Sequence, residues 1–482
     1  MPKNERNDYK ISENLIFFAK ILFMSKIFCN FVRQIGATCI NEHLYYIRMR
    51  RDLYISQVGP ITGEVKLNLR RYNVFIGPQS SGKSTIAKLI STLSWMEKEA
   101  CTTLSEDILP AGKNFKEFVE DYHRMHGYID EDSVIKYDSD YVNIVYDRGA
   151  YKLTLKERCT EYMRVKVSYV PSDRNVITMR DIELRNLEET NFRSFLFDWL
   201  EARRSFNSTR MADILALDVK YYFDQDLNVY QDRITHHNGK TYDISLYDAS
   251  SGLQSAVPLV VLIEYLKDRY YKNYGKVISF DVRKREELLI TRLLERILVP
   301  AVPHERGESL SDIYTRVSQE IRENGRDDYK ALIEHVQKSF SQLRSPRSIA
   351  YIIEEPEQNL FPQTQSDLMQ NIVSACNEGE HLSSAVITTH SPYVLAMLNI
   401  QILAGILVAA GVDKEVINKV IPVDSAIRAE EIGVYTVGDG TCKSIQNKQT
   451  GMIDQNYLDT ASENNAAMFD KLYRLFIKTL QR

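Results

Sequence analysis

At 482 residues, 44% hydrophobic and 26% charged, the chain is long enough for two or three domains, or one large unit with insertions, and has an ordinary globular composition. A formal net charge of −4 gives no general pull toward DNA or anionic lipid, so any nucleic-acid surface has to be a local patch. The cysteines (Cys29, Cys39, Cys101, Cys159, Cys376 and Cys442) form no C-x-x-C pair, which argues against a disulfide framework or a structural zinc site and suits a reducing cytosol.

The first apolar stretch, Leu15 to Met24, follows a charged start in the manner of a signal peptide. Lys20 and Lys26 interrupt it, no small-residue cleavage pattern follows, and it is too short to span a bilayer. A packed or loosely attached N-terminal helix is expected instead, with no membrane anchor. Folded patterning begins near Leu53. Residues 53–61 read as a strand ending at Gly59-Pro60, and Glu64 to Leu69 alternate as a half-buried strand does. Arg71 to Ile76 lead as a strand directly into Gly77-Pro78-Gln79-Ser80-Ser81-Gly82-Lys83-Ser84, and Ser84 to Ile90 place apolar residues at helical spacing behind it. Strand-like stretches follow at residues 141–146 and 165–170. The pattern becomes helical from about 181 to 220 and again from about 259 to 343, then returns at Ile349 to short apolar strands alternating with helices, as in a parallel sheet. Repeats, low-complexity tracts and sustained heptads are absent from the sequence.

Four segments carry chemistry. In Gly77–Ser84 the pattern G-x-x-x-x-G-K-S lets backbone N–H groups turn inward around phosphates. Gly77, Gln79, Ser80, Ser81, Gly82, Lys83, Ser84 and Thr85 are the expected nucleotide contacts; Lys83 supplies the cation and the Ser84 hydroxyl a Mg2+ ligand. In Ala249-Ser250-Ser251-Gly252-Leu253-Gln254-Ser255, small residues open an apolar helix whose N–H groups and hydroxyls suit an anion, although an ordinary serine-rich cap reads the same way. The strand Ile349 to Ile353 ends in Glu354-Glu355-Pro356-Glu357, which suits a magnesium-side carboxylate, Glu354, followed by a general base, Glu355. A further buried strand, Ala385 to Thr389, delivers His390 to a sheet edge, where it could reach a phosphate or orient a water.

Taken in order these segments resemble the Walker A, signature, Walker B and switch-histidine set of ABC-type ATPases. The wording E-E-P-E-x-N-L-x-P, T-T-H-S-P and S-S-G-x-Q, with Val170-Pro171-Ser172-Asp173-Arg174, is similar to the OLD-like branch, related to SMC and RecF-type proteins. That resemblance, over about residues 53–460, implies an α/β P-loop fold: a mixed sheet core with an antiparallel β-subdomain, plus a helical lobe with insertions. It implies an N-terminal extension at 1–50, nucleotide-binding lobe I at 51–180, a helical lobe with the signature at 181–345, and nucleotide-binding lobe II at 346–482. It further implies ATP and Mg2+, hydrolysis, a cytoplasmic location, and a homodimer or higher oligomer in which Ser250, Ser251, Gly252 and Gln254 serve the partner's ATP. No D-x-D pair follows His390, so the Toprim nuclease domain of OLD nucleases is not expected. Nuclease-less ATPases of this kind resemble the ATPase subunits of antiphage systems such as Septu and PARIS, which control a separately encoded effector.

The alternatives differ in target. The stretch Lys267 to Arg296 interleaves cations with Tyr270, Tyr271 and Tyr274 and could hold nucleic acid, as a RecF/SMC-type maintenance ATPase would, but acids mixed into it favour a solvated helix face. A transporter ATPase is disfavoured by the signature wording and by a gap of about 100 residues between signature and Walker B strand. The helical material between Tyr265 and Arg344 is the expected partner or oligomer contact. Tyr54 is a stacking candidate for the base.

Overall fold

The computed structural model describes residues 50–178, 190–227, 231–236, 242–274, 280–305, 307–378, 383–454, 456, 458 and 468–473. The expected N-terminal helix, Cys29, Cys39 and Lys276 lie outside them.

Strands β1 (Arg51–Val58) and β2 (Ile61–Asn68) form a hairpin, and β4 (Ile129–Ser139), β5 (Val142–Asp147) and β6 (Ala150–Leu155) extend it into an antiparallel sheet ordered β2-β1-β4-β5-β6. Alternation sets its faces: Val65 and Leu67 point inward, Glu64 and Lys66 outward. The inward face covers α1 (Lys83–Thr103), and Tyr137 on β4 donates to the buried Glu97 carboxylate of that helix at 3.0 Å.

The second sheet is ordered β15-β14-β3-β13-β12-β7, from β3 (Tyr72–Ile76), β7 (Val165–Val170), β12 (Ser348–Glu354), β13 (Ser384–Thr389), β14 (Ile432–Gly438) and β15 (Thr441–Ser444). All its pairings are parallel except β14 with β15. It is buried on both faces, which is why its strands read as continuous apolar runs. Val74, Ile76, Ile353 and Ile387 enter one core; Phe75, Ile352 and Val386 enter the other. The fold is therefore α/β, with a phosphate-loop core and an antiparallel β-subdomain, as expected.

The segment 181–345 differs from its expected form. Among its described residues, only Asn191–Arg203 (α3) is helical in the part expected to be helical up to about 220. It is followed by a four-stranded antiparallel sheet, β11-β10-β9-β8, of β8 (Ala212–Asp213), β9 (Val219–Phe223), β10 (Asp232–His236) and β11 (Tyr242–Ser245). Local β-propensity in Val219-Lys220-Tyr221-Tyr222-Phe223 wins there. The later helices also part company. Helix α4 (Ser251–Glu264) packs with α3 in the first core. Helices α5 (Phe280–Leu293), α6 (Leu310–Asn324) and α7 (Asp327–Arg344) place Leu289, Val317 and Phe340 in the second, against α1. The six-stranded sheet thus separates α4 from the helices α5, α6 and α7.

Helices α8 (Pro362–Asn377) and α9 (Pro392–Ala409) complete the first layer. By length and apolarity α9 is the one described helix that could cross a membrane, yet Val394, Leu398 and Ile402 pack it into the core. Arg71, 3% exposed, ties this layer together: it donates to the carbonyls of Ser383 and Cys376 at 2.8 and 2.5 Å and pairs with the buried Glu431 carboxylate at 3.4 Å. Removing one partner of a buried ion pair leaves an uncompensated charge and typically costs about 3–5 kcal/mol. Arg71→Met is expected to lower unfolding stability by that order in urea denaturation; a loss under about 1 kcal/mol, the range of an exposed pair, would refute this role.

Candidate nucleotide-binding and catalytic site

Register builds the site. Ile76 on β3 lies beside Thr389 on β13, and Thr388 lies beside Glu354 on β12, while Val170 on β7 lies beside Ile353. Adjacent strands are about 4.8 Å apart, so the loops after β3, β12, β13 and β7 leave one sheet edge together.

After β3, the loop Gly77–Gly82 closes onto α1. Gly82 caps this helix with φ +103°, a conformation that side chains rarely adopt, and its α-carbon faces Ile61 of the hairpin. Pro78, Gln79 and Ser80 are exposed, whereas Lys83 and Thr85 are buried, and Ser81 and Ser84 are half-buried. Lys83 Nζ donates to the carbonyls of Gly77 and Pro78 at 3.0 and 2.7 Å, which holds the ammonium across the loop. Burial lowers the Lys83 pKa, opposed by the nearby charges of Glu355, Glu357 and Glu354, so the loop cation and the acidic turn share one field.

After β12 the acidic turn begins. Glu354 is 4% exposed; its Oε2 accepts weakly from Ser172 N at 3.4 Å, and its Oε1 has no donor within hydrogen-bond range. The Tyr169 hydroxyl, its pKa raised first by burial, lies close enough for the Glu354 carboxylate to raise it further. A buried carboxylate oxygen without a donor is costly unless something cationic or protic completes it. Glu355 adopts φ +44°, an unusual left-handed conformation for a residue with a side chain. Its backbone is gripped from both sides: the N–H donates to Thr388 O at 2.9 Å, and the carbonyl accepts from Arg174 at 3.0 Å and from the Gln358 N–H at 3.1 Å. The turn aims the Glu355 carboxylate at His390, whose Nε2 lies 3.1 Å from Oε1. This bond, with the charges of His390, Lys83 and Arg174, holds the Glu355 carboxyl below its ordinary range against the opposing effect of burial.

Two residues not singled out for catalysis in the sequence organise this edge. Glu357 Oε1 accepts from Thr389 Oγ1 at 2.8 Å and from the His390 N–H at 2.6 Å; burial raises its pKa. Arg174, fully buried, donates to the carbonyls of Ser255, Glu354 and Glu355 at 3.0 Å each and of Pro356 at 3.2 Å. Burial pushes its pKa down to about 10, which leaves it cationic at neutral pH. Its motif was visible in Val170–Arg174, but no local pattern marks an arginine for backbone carbonyls distant in sequence.

The serine-rich segment caps α4: Ser250 Oγ accepts from Leu253 N at 3.4 Å, and Ser250 and Ser251 are exposed. Gly252 sits so close to the acidic-turn loop that a side chain there would meet Asn359 O at 2.9 Å, and Asn359 donates to Ser255 Oγ at 3.1 Å. Gln254 turns back to the carbonyl of Tyr247 at 2.7 Å. Tyr54 lies on the outer face of the antiparallel sheet with Lys66 and Lys136 over its ring at 5.6 and 5.8 Å. In the basic run, Lys267 pairs with Glu264 and Glu378, Lys272 with Asp268, and Tyr270 and Tyr271 pack against the first core. Among the described residues there is no cluster of three or more His, Cys, Asp or Glu side chains able to cage a metal.

A family model described as an AAA ATPase domain matches residues 329–395, the stretch from α7 through β12, α8 and β13 into the first turn of α9. None of the curated proteins matches the chain. Among solved structures it is similar to the SMC head domain from Thermotoga maritima, at 9% identity and TM-score 0.33, over 83% of this chain and 99% of that one. It is also similar to the recombination mediator protein RecF in its ATP-analogue form, at 10% identity and TM-score 0.27, over 82% and 98%. A third is a dimeric ATP-binding cassette in a post-hydrolysis state bound to ADP and Pi, at 12% identity and TM-score 0.22, over 82% and 99%.

A lowered native pKa means that the Glu355–His390 pair stabilises the fold above the unfolded carboxyl value near 4.5 and loses this as pH falls through the lower native value. In an NMR-monitored titration, Glu355 is expected to ionise below 4.5 and to shift upward in His390→Ala; an unchanged midpoint in the variant refutes the assignment of the shift to His390.

Proposed function

We propose that this chain binds ATP with Mg2+ and hydrolyses it. The observation that carries the reading is the delivery of Lys83, Glu354, Glu355 and His390 to one sheet edge by adjacent, in-register strands. The loop N–H groups of residues 79–85 and the Lys83 ammonium bind the β- and γ-phosphates. Ser84 and Glu354 would hold Mg2+, and the unpartnered Glu354 oxygen fits such a ligand. Bound there, the ion would neutralise phosphate charge as P–O bonds break. Glu355, kept ionised, takes the proton from the attacking water as the water oxygen bonds the γ-phosphorus, the bond from the β–γ bridging oxygen to that phosphorus breaks, and ADP departs with phosphate. His390, expected to donate to the γ-phosphate or orient the water, here orients the Glu355 carboxylate and through it the attacking water.

The exposed Ser250 and Ser251 at a helix start suit phosphate from a second copy, so we read the active form as a head-to-tail homodimer or larger oligomer with ATP between subunits. By resemblance, its cycle controls a separately encoded effector in antiphage defence, in the cytoplasm. Direct binding of DNA, in the manner of a RecF/SMC-type ATPase, remains the second reading. The acid-paired Lys267 and Lys272 and the core-packed tyrosines argue against the Lys267 to Arg296 run as its surface.

Glu355→Gln is expected to retain ATP binding while turnover falls at least 100-fold, the usual size of a general-base contribution, and to trap a dimer visible by light scattering. Turnover near wild type would remove Glu355 from the base role. Arg174 is a positioning residue in this scheme. Arg174→Met should lower kcat by at least tenfold with little change in KM, because the strained Glu355 turn loses its anchor; a change confined to KM would refute that.

A further inference from the structure

Beside the phosphate loop's helix lies a second concavity that the ATPase chemistry does not use. A cleft of about 400 Å³ opens between α1, α2 (Phe115–His123) and the first turns of α3. That volume is within the roughly 300–1,000 Å³ of small-ligand sites. Its Thr92 wall is nine residues along α1 from Lys83, about 14 Å at helical rise, so it is not an extension of the phosphate loop.

The lining is chemically selective. Trp95 and Phe118 meet at 5.1 Å between ring centroids, and Phe118 stacks on Tyr122 at 6.0 Å, forming an aromatic ladder along one wall. Phe197, 51% exposed, lines the cleft from α3, with the Arg193 guanidinium over its ring at 5.5 Å. The Tyr122 hydroxyl bonds Ser194 Oγ at 2.9 Å across the cleft, tying α2 to α3. Lys113 lies at the rim, bonded to Asp121 at 2.8 Å. Among the described residues that line the cleft there is no Asp or Glu. Aromatic rings from three helices together with the Arg193 guanidinium suit a flat π-system that carries a negative charge.

We propose that this cleft is a second ligand site, which takes a nucleobase bearing a phosphate. The base stacks between Phe197 and the Trp95–Phe118–Tyr122 wall, and Arg193 holds the phosphate. The unit can be a free mononucleotide or an unpaired residue of a single-stranded nucleic acid. The assignment is independent of the ATPase reading.

The test uses the full chain carrying Lys83→Ala, which disables the phosphate loop. The chain has two tryptophans, and Trp199 is buried, so quenching by an added aromatic ligand reports Trp95. AMP, GMP, CMP and UMP are titrated, with adenosine as the uncharged control and a short oligothymidylate as the nucleic-acid arm. Saturable quenching by mononucleotides, at least tenfold weaker for adenosine and in Arg193→Met and Phe197→Ala, supports a free-nucleotide site. The same losses seen with the oligonucleotide alone support a nucleic-acid residue. Arg193→Lys keeps the charge on the same helix face and should retain most binding, which separates loss of the phosphate contact from loss of fold. No saturable quenching by either probe at millimolar concentration overturns the proposal, as does equal affinity for adenosine and AMP or binding indifferent to both variants.

Discussion

The parallel register of β7, β12, β13 and β3 is the constraint on which the site depends. Each strand ends within one residue of its neighbour's functional end, so Arg174, Glu354, Glu355, His390 and the phosphate loop leave a single edge. A slip of one residue in β12 would move the acids by about 3.3 Å and turn its apolar side chains to the opposite cores. Both faces of the sheet are filled, so that slip would misplace Ile352 and Ile353 together. Hydrophobic burial on two sides thereby fixes the chemistry at the edge.

The edge concentrates charge in a poorly solvated place, and each acid has a different environment. Glu355 faces His390 and is held ionised, Glu357 accepts from Thr389 and the His390 backbone, and Glu354 keeps one oxygen without a protein donor. Lys83 and Arg174 supply the compensating positive field. The left-handed backbone at Glu355 costs on the order of 1 kcal/mol. It persists because β13 and Arg174 grip its N–H and carbonyl from two directions. Arg174 also holds Ser255 near the start of α4, so the serine-rich cap and the acidic turn form one connected unit.

The six-stranded sheet also partitions the helices. The serine-capped α4 and α3 lie in one core, while α5, α6 and α7 lie in the other with α1 and the antiparallel sheet. A segment expected as one helical lobe is thus divided between the two cores, with Tyr274 reaching across to donate to the Arg344 carbonyl at 3.3 Å. The cleft beside α1 joins them again, since its walls come from helices of both layers.

Much was legible from residue order because it was local. Gly77–Ser84 follows a buried strand and opens a helix; Glu354–Glu355 and His390 each end an apolar strand; glycine conformation and period-two burial act within a few residues. The strands of the small sheet at 212–245 were missed, since short strands with mixed polarity between helices leave no period long enough to read. The division of the helices between two cores was equally hidden, because helical periodicity marks an apolar face without naming what covers it. Arg174 shows the limit most clearly. Its sequence motif was plain, but its bonds to the carbonyls of Ser255, Glu354, Glu355 and Pro356 span about 80 to 180 residues and exist only once four strands have aligned. The sequence by itself determined which groups arrive at strand ends; tertiary register decided which of them meet, because hydrogen bonds form between neighbours in space.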